Sequence, residues 1–369
     1  MKNKNILEVC LSPDLGGLEL YMANCSNALL NKFDVSCVVA SNSKLKTYIN
    51  NLEKYELKRN SSFSLFNSFR LSKIIDKKKI DIIHIHWTKD IPIVVLAKLF
   101  SKRKPKIVQT RHMTMTRFKS DFYHKFLYKN IDTIICVTKA LEEQINKFIP
   151  SDIRPKTKLI YLGVDEVDFL KEEEITNFKQ NLDVKNSFMI GLVGRINEFK
   201  GQHLLIDAMK ELKAKNLDIK SYIVGHAMSK EYLEKLKEKV IENNLQDVVN
   251  FLGFTKEPHK FMQACDVVLM TSKNETFGLV IIEAMKNNTA VIASNSGGVL
   301  EIIDDRKNGL LFENQNSHDL ALKIEELYND NKLLNTLINN AKAKVNEEFN
   351  NKKQFEKLIE ELNEIGDYI

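Results

Sequence analysis

Hydrophobic positions in the first half of the chain fall into short apolar runs, separated by longer stretches in which they recur with helical spacing. The runs are rich in β-branched residues and predict strands. They lie at Ile6–Leu11, Val35–Ala40, Ile80–Ile85, Lys106–Gln109, Thr133–Val137 and Leu159–Tyr161. Strands that alternate with helices predict βαβ units, and therefore a parallel sheet.

The same pattern restarts in the second half of the chain. Strands are predicted at Phe188–Val193, Ser221–Val224, Val248–Leu252, Val267–Met270, Ala290–Ala293 and Gly309–Phe312. Helical stretches such as 201–215 and 229–243 separate them, and 332–367 predicts two helices with no strand between. The expected fold class is α/β, with two doubly wound, Rossmann-like parallel-sheet domains whose ligand-binding edges face each other across a cleft.

An acidic stretch with few apolar residues, from about Val164 to Asn181, is the expected boundary between the domains. We assign residues 1–165 to an N-terminal domain and 166–345 to a C-terminal domain. Residues 346–369 are expected to form a C-terminal helix that packs back toward the N-terminal domain. A length of 369 residues suits two domains, because single cores rarely grow beyond about 250–300 residues.

Composition is that of a globular protein, with 43% hydrophobic and 28% charged residues. No apolar run approaches the ~20 residues of a membrane-spanning helix. The start, Met1–Asn5, leads straight into a strand-like run that is too short for a signal peptide. The five cysteines show neither a disulfide framework nor a metal-ligand spacing, so a reducing cytoplasm is expected.

Charge is distributed unequally along the chain. Residues 1–165 contain 29 Lys+Arg and 15 Asp+Glu, a net charge of +14. Subtraction from the totals of 55 and 49 leaves 26 and 34, a net charge of −8, for residues 166–369. The basic half predicts contact with something anionic, such as a membrane surface, a phosphorylated acceptor or nucleic acid. A lysine-rich surface that is only solvated explains it as well.

Two glutamates eight residues apart, Glu275 and Glu283, follow the predicted strand at Val267–Met270. The first is expected at the end of that strand and the second about two turns inside the next helix. Ligands of open α/β sheets bind at this edge, and the amides that open a helix favour anionic or oxygen-rich ligands. The pair therefore suits the hydroxyls of a sugar nucleotide. Alternatively, Glu275 caps the helix and Glu283 forms a surface ion pair.

Two loops between a strand and a helix have the residues to hold phosphate. In the loop Gly194–Gly201, glycine allows close approach of the backbone, and Arg195 and Lys200 supply cations that suit a diphosphate. A turn with two solvated cations is the alternative. The first loop of the chain carries Gly16 and Gly17, whose amides would face a phosphate. It lacks the G-x-G-x-x-G pattern, which argues against a dehydrogenase.

Histidines end two strands of the first domain. His84 and His86 share one face of the strand from Ile80, and His112 follows Arg111 after the strand from Lys106. No Cys, Asp or Glu lies at metal-ligand spacing beside them, so no metal is expected. We expect His84 to be a core residue with satisfied hydrogen bonds, and His86 and His112 to be better placed for contact with a substrate.

Downstream, Phe118, Phe122 and Phe126 fall on one helical stripe with several cations alongside. Such a stripe is typical of an interfacial helix on anionic lipid. More often, such a stripe belongs to a helix that packs on a sheet.

Taken together, these segments resemble the retaining glycosyltransferases of family 4, also called glycosyl transferases group 1, which have the GT-B fold. The resemblance covers nearly the whole chain. It rests on four motifs in the family's order: G-G-x-E near the N-terminus, T-x-H in the first domain, G-R-x(4)-K-G opening the second, and E-x(7)-E after it.

The resemblance implies a role for each matching residue. Gly16 and Gly17 would approach the donor diphosphate, and Arg195 and Lys200 would neutralise it as it leaves. Glu275 would bind the donor sugar. The resemblance further assigns the amides of Phe277 and Gly278 to the sugar, Glu283 to the ribose, Phe254 to the base pocket, His112 to the sugar or acceptor, His86 and Arg111 to the acceptor side, and Gly297, Gly298 and Glu301 to the family pattern. Arg111 would report an anionic acceptor.

One departure from the family concerns the turn after the second glutamate. Relatives commonly have glycine and proline there, whereas this chain has Asn288 and Ala290. Asparagine tolerates a left-handed turn, so the fold is expected to survive.

The resulting expectation is a hexosyltransferase that acts on a nucleotide-sugar donor, a UDP-sugar, and a glycan or lipid-linked acceptor of surface polysaccharide or lipopolysaccharide biosynthesis. No cofactor or metal is expected, because two cations can replace a divalent ion at the diphosphate. The protein is expected in the cytoplasm, peripheral on the inner face of the membrane through its basic domain, and not bound to nucleic acid. The alternatives are a nucleotide-sugar epimerase of the same fold and a non-catalytic protein on a membrane surface.

Overall fold

Parallel strands and covering helices make up the computed structural model, which describes residues 4–59, 61–184 and 186–366. The strands are β1 (Asn5–Cys10), β2 (Asp34–Ala40), β3 (Glu53–Leu57), β4 (Ile82–Ile85), β5 (Lys106–Arg111), β6 (Thr133–Cys136), β7 (Lys156–Leu159), β8 (Phe188–Val193), β9 (Ile219–Val224), β10 (Val249–Gly253), β11 (Val267–Met270), β12 (Ala290–Ser294) and β13 (Leu310–Phe312).

The α-helices are α1 (Gly17–Leu29), α2 (Leu65–Lys77), α3 (Ile91–Phe100), α4 (Phe122–Tyr128), α5 (Lys139–Phe148), α6 (Glu172–Asn181), α7 (Gln202–Ala214), α8 (Lys230–Glu242), α9 (Pro258–Ala264), α10 (Leu279–Lys286), α11 (Val299–Ile302), α12 (Ser317–Asn329), α13 (Asn331–Glu348) and α14 (Asn351–Gly366). Short 3₁₀ helices lie at Lys44–Thr47, Thr88–Asp90 and Glu198–Lys200. Among the residues described above, no helix is both long and apolar enough to cross a lipid bilayer.

The chain divides into two compact units. Unit 1 comprises residues 1–162 and 351–369, and unit 2 comprises residues 163–350. Over the described residues, unit 1 contains a sheet in the order β3-β2-β1-β4-β5-β6-β7 and unit 2 a sheet in the order β10-β9-β8-β11-β12-β13. Every strand pair in both sheets is parallel. The expectation of two doubly wound parallel sheets is confirmed.

The sequence-based strands differ from the structure at the edges of the first sheet. Strand β3, Glu53–Leu57, was not predicted, and the strand predicted at Leu159–Tyr161 lies earlier, at Lys156–Leu159. Both strands pair with a neighbour on one side only. Their exposed positions carry Lys and Glu, so they lack the apolar run that identifies a central strand.

The C-terminal helix α14 packs in unit 1. Phe355, Leu358 and Leu362 of α14 are buried in the same core as Met22 and Cys25 of α1. The side chain of Glu361 is buried as well. Two lysines of β7 approach its carboxylate oxygens, Lys156 at 3.0 Å and Lys158 at 3.3 Å. A buried carboxylate needs such partners, so the pair also fixes the helix against the sheet edge.

The predicted aromatic stripe is only partly helical. Helix α4 begins at Phe122, because Asp121 caps its first turn by accepting a hydrogen bond from the His124 amide at 3.1 Å. Phe118 therefore lies outside the helix, where its ring packs edge-on against Phe148 at 5.2 Å between centroids. Phe118, Phe122 and Phe126 are all exposed, and Phe122 reaches 88%. Packing of this stripe onto the sheet is thus excluded.

Candidate active site

Each sheet has a point where the order of its strands reverses. In unit 1 this point lies between β1 and β4, and in unit 2 between β8 and β11. At such a point the loops after the two strands run in opposite directions and leave a crevice at the carboxyl ends. The glycine-rich loop 194–201 follows β8, and the loop 271–278 that carries Glu275 follows β11. The two predicted donor-binding motifs therefore share the switch point of unit 2.

Backbone geometry holds the loop 194–201 against its neighbours. Gly194 has φ +154°, and a Cβ there would meet open space. Gly201 has φ +68°, and a Cβ there would stand 2.2 Å from the Thr271 carbonyl oxygen. Glycine at 201 is thus required both by the left-handed conformation and by the close approach of the β11 loop. At 194 it leaves a free surface beside the backbone.

Hydrogen bonds join the two loops and bring their charged side chains together. The Thr271 hydroxyl donates to the Lys200 carbonyl at 2.7 Å, and the Lys273 amide donates to the Phe199 carbonyl at 2.9 Å. The Lys200 Nζ then reaches Glu275 Oε2 at 2.6 Å, with both side chains about a quarter exposed. Arg195 is exposed on the same loop, and its guanidinium has no partner among the described residues. Two cations and a carboxylate therefore lie at this edge, open to a ligand.

The loop that carries Glu275 rests on two further glycines. The Gly298 amide donates to the Glu275 carbonyl at 2.8 Å. A Cβ at Gly297 would stand 2.2 Å from that same oxygen, and one at Gly298 would stand 2.1 Å from the Thr276 carbonyl oxygen. The Gly297–Gly298 pair thus permits close packing of the backbone behind Glu275.

Helix α10 begins later than the sequence suggested. Gly278 has φ +111°, a conformation outside the helical region, and the helix starts at Leu279. Glu283 is therefore the fifth helical residue, little more than one turn inside and not two. Asn288, just beyond the helix, has φ +58°, so asparagine does adopt the left-handed turn that was expected there.

Glu283 is a partly buried carboxyl with no charged or hydrogen-bonding partner for its side chain among the described residues. Burial raises its pKa to about 7. Ionisation of such a carboxyl is unfavourable unless hydrogen-bond donors stabilise the charge. The hydroxyls of a ligand could supply those donors.

The two aromatic residues assigned to the donor differ in their surroundings. The Phe277 ring is buried and meets Phe349 edge-on at 5.8 Å between centroids, so only its backbone can face a ligand. Phe254 is exposed and follows Gly253, which has φ +71° at the end of β10. The sheet order separates β10 from β8 by one strand, β9.

At the switch point of unit 1, Gly16 and Gly17 open helix α1. Gly16 is its N-cap, with an extended backbone at φ −163°, and its carbonyl accepts the Leu20 amide at 3.0 Å. A Cβ at Gly16 would make only an ordinary contact, 3.4 Å from Glu19 Oε2. Glycine is therefore not needed there for backbone conformation, which leaves close approach of a ligand as its physical reason.

His84 and His86 lie in a buried polar cluster at the centre of unit 1. His84 Nδ1 lies 3.0 Å from Glu8 Oε1, His84 Nε2 lies 2.7 Å from Thr110 Oγ1, and His86 Nε2 lies 2.5 Å from Glu8 Oε2. His84 is thus the satisfied core histidine that was expected. His86 is also buried, at 1% exposure, so its ring contacts the buried polar cluster and not solvent.

The cluster includes ligand types that sequence spacing did not reveal. Among the described residues, the donor atoms of Glu8, Cys25, His84 and His86 lie within 4.8 Å of one another. Two imidazoles, a thiol and a carboxylate are a set that zinc can take. Glu8 and Cys25 come from β1 and α1, far from the histidines in sequence, and only the fold brings them there.

The structure brings His112 next to His86. The rings of His86 and His112 are nearly parallel, with centroids 6.0 Å apart, and Tyr21 packs edge-on against His112 at 4.9 Å. Burial lowers the pKa of His112. Arg111 is 4% exposed and donates to the Thr114 carbonyl at 3.3 Å. Its guanidinium is therefore largely buried, and Nε and Nη1 have no hydrogen-bond partner among the described residues, so a place on the acceptor side stays a prediction.

A second buried carboxylate near β1 was missed by the sequence analysis. Asp90 accepts the Leu11 amide at 2.8 Å, and Arg59 Nε lies 3.5 Å from its other oxygen. Burial raises the pKa of Asp90 to about 7. The Arg59 guanidinium in turn covers the Trp87 ring at 4.1 Å. The sequence signal available was a charged residue directly before an apolar helix with Pro92 in its first turn.

Comparison with known proteins agrees with this geometry. Residues 173–344 match the family model of glycosyl transferases group 1, and residues 8–138 match that of glycosyl transferase 4-like domains. An uncharacterized glycosyltransferase of Methanocaldococcus jannaschii is 30% identical over 359 residues, which cover 94% of this chain and 93% of the relative. The capsular polysaccharide biosynthesis glycosyltransferase CapM of Staphylococcus aureus is 25% identical over 338 residues, 88% of each chain.

Among solved structures, Anabaena HepE in complex with UDP and glucose superposes with a TM-score of 0.86. The match covers 98% of this chain and 100% of that one at 23% identity, so it supports the assignment of the fold alone. Both units have the parallel Rossmann-like sheets of the GT-B fold. With the matching motifs at the switch points of both sheets, the chain belongs to the glycosyl transferases group 1 family.

Proposed function

We propose that the protein is a retaining hexosyltransferase that uses a nucleotide-sugar donor, a UDP-sugar, and a glycan or lipid-linked acceptor in surface polysaccharide or lipopolysaccharide biosynthesis. The observation that carries this proposal is the contact of Lys200 with Glu275 beside the exposed Arg195. Capsular polysaccharide synthesis by the S. aureus relative and the UDP and glucose bound to the Anabaena protein support the choice of acceptor and donor.

In this proposal unit 2 binds the donor and unit 1 the acceptor. Arg195 and Lys200 neutralise the diphosphate, Glu275 accepts hydrogen bonds from sugar hydroxyls, and Glu283 accepts them from the ribose. Amides of Phe277 and Gly278 lie beside the sugar, and Phe254 lies beside the base. In unit 1, Gly16 and Gly17 approach the diphosphate, and His112 and His86 meet the sugar or acceptor.

The proposed reaction needs no protein nucleophile. The acceptor hydroxyl oxygen attacks the anomeric carbon on the face from which the diphosphate leaves, the bond from that carbon to the diphosphate oxygen breaks, and the hydroxyl proton passes to the leaving phosphate. Charge accumulates on the diphosphate as the bond breaks. Preorganised cations at that position stabilise the transition state more than the ground state, and so accelerate the step.

The test is turnover of defined donors by matched variants. Purified wild type is assayed for hydrolysis and transfer with a panel of UDP-, GDP- and ADP-sugars. Lys200→Ala and Glu275→Gln should each lower turnover by roughly 10²–10³-fold, the cost of one preorganised polar group. Lys273→Ala removes an exposed cation from the same loop and should keep activity within about twofold, because surface charges contribute little. Unchanged turnover in both site variants would sink the assignment.

Metal independence is part of the proposal, since two cations occupy the place of a divalent ion at the diphosphate. Treatment with a chelator should leave transfer unchanged. Loss of activity in the chelator, followed by recovery on addition of magnesium, would contradict it.

The proposed location is the inner face of the cytoplasmic membrane. The support comes from unit 1, where residues 1–165 carry a net charge of +14 and Phe118 and Phe122 are exposed among lysines. Helix α2 adds a second set: Phe66 and Phe69 are exposed. Arg70 and Lys73 of the same helix lie over their rings, at 5.8 and 4.8 Å. Aromatic side chains flanked by cations suit anionic lipid headgroups.

A further inference from the structure

Glu8 lies in the middle of β1, where the apolar strand is otherwise uninterrupted. Its Cα is directly opposite that of His84 in the parallel register of β1 with β4. The side chain is fully buried, and each carboxylate oxygen meets a different imidazole: Oε1 meets His84 Nδ1 and Oε2 meets His86 Nε2. A charged residue at this central position is costly unless it is hydrogen-bonded, so its partners define its role.

The hydrogen bonds of Glu8 determine where the protons of its neighbours lie. Each carboxylate oxygen of Glu8 lies within hydrogen-bond distance of one imidazole nitrogen, Oε1 at 3.0 Å from His84 Nδ1 and Oε2 at 2.5 Å from His86 Nε2. Burial, with His84 nearby, lowers the pKa of His86 to about 4. At neutral pH Glu8 is therefore an acceptor on both oxygens, and His86 carries one proton only. That proton lies on Nε2, which faces the carboxylate, and Nδ1 is left with a lone pair.

Other residues of the cluster hydrogen-bond His84. Its Nδ1–H donates to Glu8, while Nε2 pairs with the Thr110 hydroxyl at 2.7 Å. Thr110 also hydrogen-bonds the Tyr21 hydroxyl. Both nitrogens of His84 thus have hydrogen-bonding partners. His86 differs, because only one of its two nitrogens has a partner.

Nδ1 of His86 is buried and has no hydrogen-bond partner among the described residues. The same is true of Nε2 of His112, whose ring lies nearly parallel to that of His86. Buried polar atoms without partners are rare in native proteins and often mark the place of a missing partner. An acceptor lone pair next to a second imidazole matches a hydroxyl group, which can donate to one nitrogen and accept from the other.

We propose that Glu8 is a positioning residue: it fixes His86 as the Nε2–H tautomer, so that Nδ1 accepts a hydrogen bond from a substrate hydroxyl beside His112. This inference rests on the proposed function, in which His86 and His112 are on the acceptor side. It assigns to Glu8 the role of orienting a histidine through the nitrogen that does not touch the substrate.

A metal ion in the same cluster would need a different arrangement of protons. Cys25 Sγ lies 4.0 Å from His84 Nδ1, the nitrogen that already donates to Glu8. Metal ligation would remove that proton and break the bond to the carboxylate. The hydrogen-bonded arrangement satisfies Glu8 and His84 as they stand, so we favour it, and metal content becomes an outcome of the test.

The test is the tautomer of His86, read from imidazole nitrogen resonances of the full-length protein labelled with ¹⁵N-histidine. Wild type should show Nε2–H. In Glu8→Gln the amide presents one oxygen and one NH₂ group, so one imidazole must offer it a lone pair. His86 should be the ring that changes, by moving its proton to Nδ1, because that nitrogen has no partner and the move breaks no other hydrogen bond.

Activity supplies the second readout. Glu8→Gln should lower kcat for transfer by about 10–100-fold, the range seen when a group that orients a histidine is lost. Donor KM and donor hydrolysis without acceptor should be unchanged. Cys25→Ala removes another polar atom of the same cluster without touching the carboxylate, and should leave both the tautomer and kcat as in wild type.

Three results would overturn the inference: His86 as Nδ1–H in wild type, His86 unchanged in Glu8→Gln, or a stoichiometric transition metal in purified wild type that Glu8→Gln lacks. If Glu8→Gln does not fold, the wild-type spectrum and metal content still decide. Failure of the proposed function looks different, since wild type would then turn over no sugar nucleotide while His86 remains Nε2–H.

Discussion

The carboxyl of Glu283 makes the stability of the folded protein depend on pH. Its pKa is raised by burial from 4.5 to about 7. The unfolded chain ionises this carboxyl near its ordinary pKa, so the folded state loses stability as pH rises from about 4.5 to 7. Stability contributed by Glu283 is fully present below pH 4.5 and is lost above pH 7.

We therefore expect Glu283→Gln to stabilise the protein more at pH 8 than at pH 5. The difference in the free energy of unfolding should be roughly 1–3 kcal/mol, since one pKa unit corresponds to about 1.4 kcal/mol and the group is only partly buried. Urea unfolding of both proteins at the two pH values measures it. Equal differences at pH 5 and pH 8 would mean that the carboxyl titrates normally.

Site chemistry at this scale was largely predictable where residue type and local sequence decide it. Arg195, Lys200 and Glu275 lie in the segments after two apolar strands, and Glu283 lies in the helix that follows, as the sequence pattern predicted. Glu8 and Asp90 escaped notice, although a charge within an apolar strand such as Ile6–Leu11 is a usable signal. Their partners lie about 80 residues away along the chain, at His84 and Leu11. Such pairings cannot be deduced without the sheet order.

At the scale of elements, two loops act as one structure. The loops after β8 and β11 are joined through Thr271 and Gly201, and the Lys200–Glu275 contact depends on that junction. Close backbone approach at a left-handed residue is tolerated by glycine alone. The two loops are thus positioned by backbone packing as much as by their charges.

Substitution of two glycines distinguishes a glycine that backbone packing requires, Gly201, from one that close approach of a ligand requires, Gly16. Gly201→Ala should destabilise the protein by at least about 1–3 kcal/mol, because the new Cβ would be strained in φ and would clash with the Thr271 carbonyl. Gly16→Ala, at an extended φ with an ordinary 3.4 Å contact, should change stability by less than about 1 kcal/mol. Its effect should instead be a lower donor affinity.

Thermal unfolding and donor binding of both variants give the two readouts. A Gly201→Ala protein as stable as wild type would contradict the packing argument. A Gly16→Ala protein with wild-type donor affinity would contradict close approach of the diphosphate at that loop.

The sequence correctly predicted the strands that are buried on both faces of the sheet. Central strands such as Phe188–Val193 and Val267–Met270 match the structure to the residue, because they are continuous apolar runs. Edge strand β3, with the sequence EKYEL, has no such signal. The late start of α10 also escaped prediction, since it depends on the conformation of Gly278 and not on helix propensity.

For the whole molecule, charge and exposed aromatic surface concentrate on unit 1. Phe118→Ser with Phe122→Ser should weaken binding to anionic phosphatidylglycerol vesicles by at least about tenfold, because each buried phenylalanine contributes about 1.5–3 kcal/mol. Binding to zwitterionic phosphatidylcholine vesicles should be weak, and salt should reduce binding to the anionic ones.

The matched control lies on unit 2. Phe169 is 51% exposed beside a lysine, Lys342, in the acidic part of the chain, and Phe169→Ser should leave vesicle binding unchanged. Cosedimentation measures all three proteins. Equal binding by the double variant and wild type would contradict the proposed membrane contact. It would not bear on the proposed donor site.

The sequence by itself determined the two parallel-sheet units, the strands at their centres, and the charged and glycine-containing loops that follow two strands of unit 2. Each of these depends on local residue pattern: apolar runs, turn glycines, and charges at strand ends. Tertiary structure alone decided that Lys200 meets Glu275, that Arg111 is buried, and that Glu8 joins His84 and His86. These are contacts between residues tens of positions apart, and they are set by strand order and register, which the linear pattern does not encode.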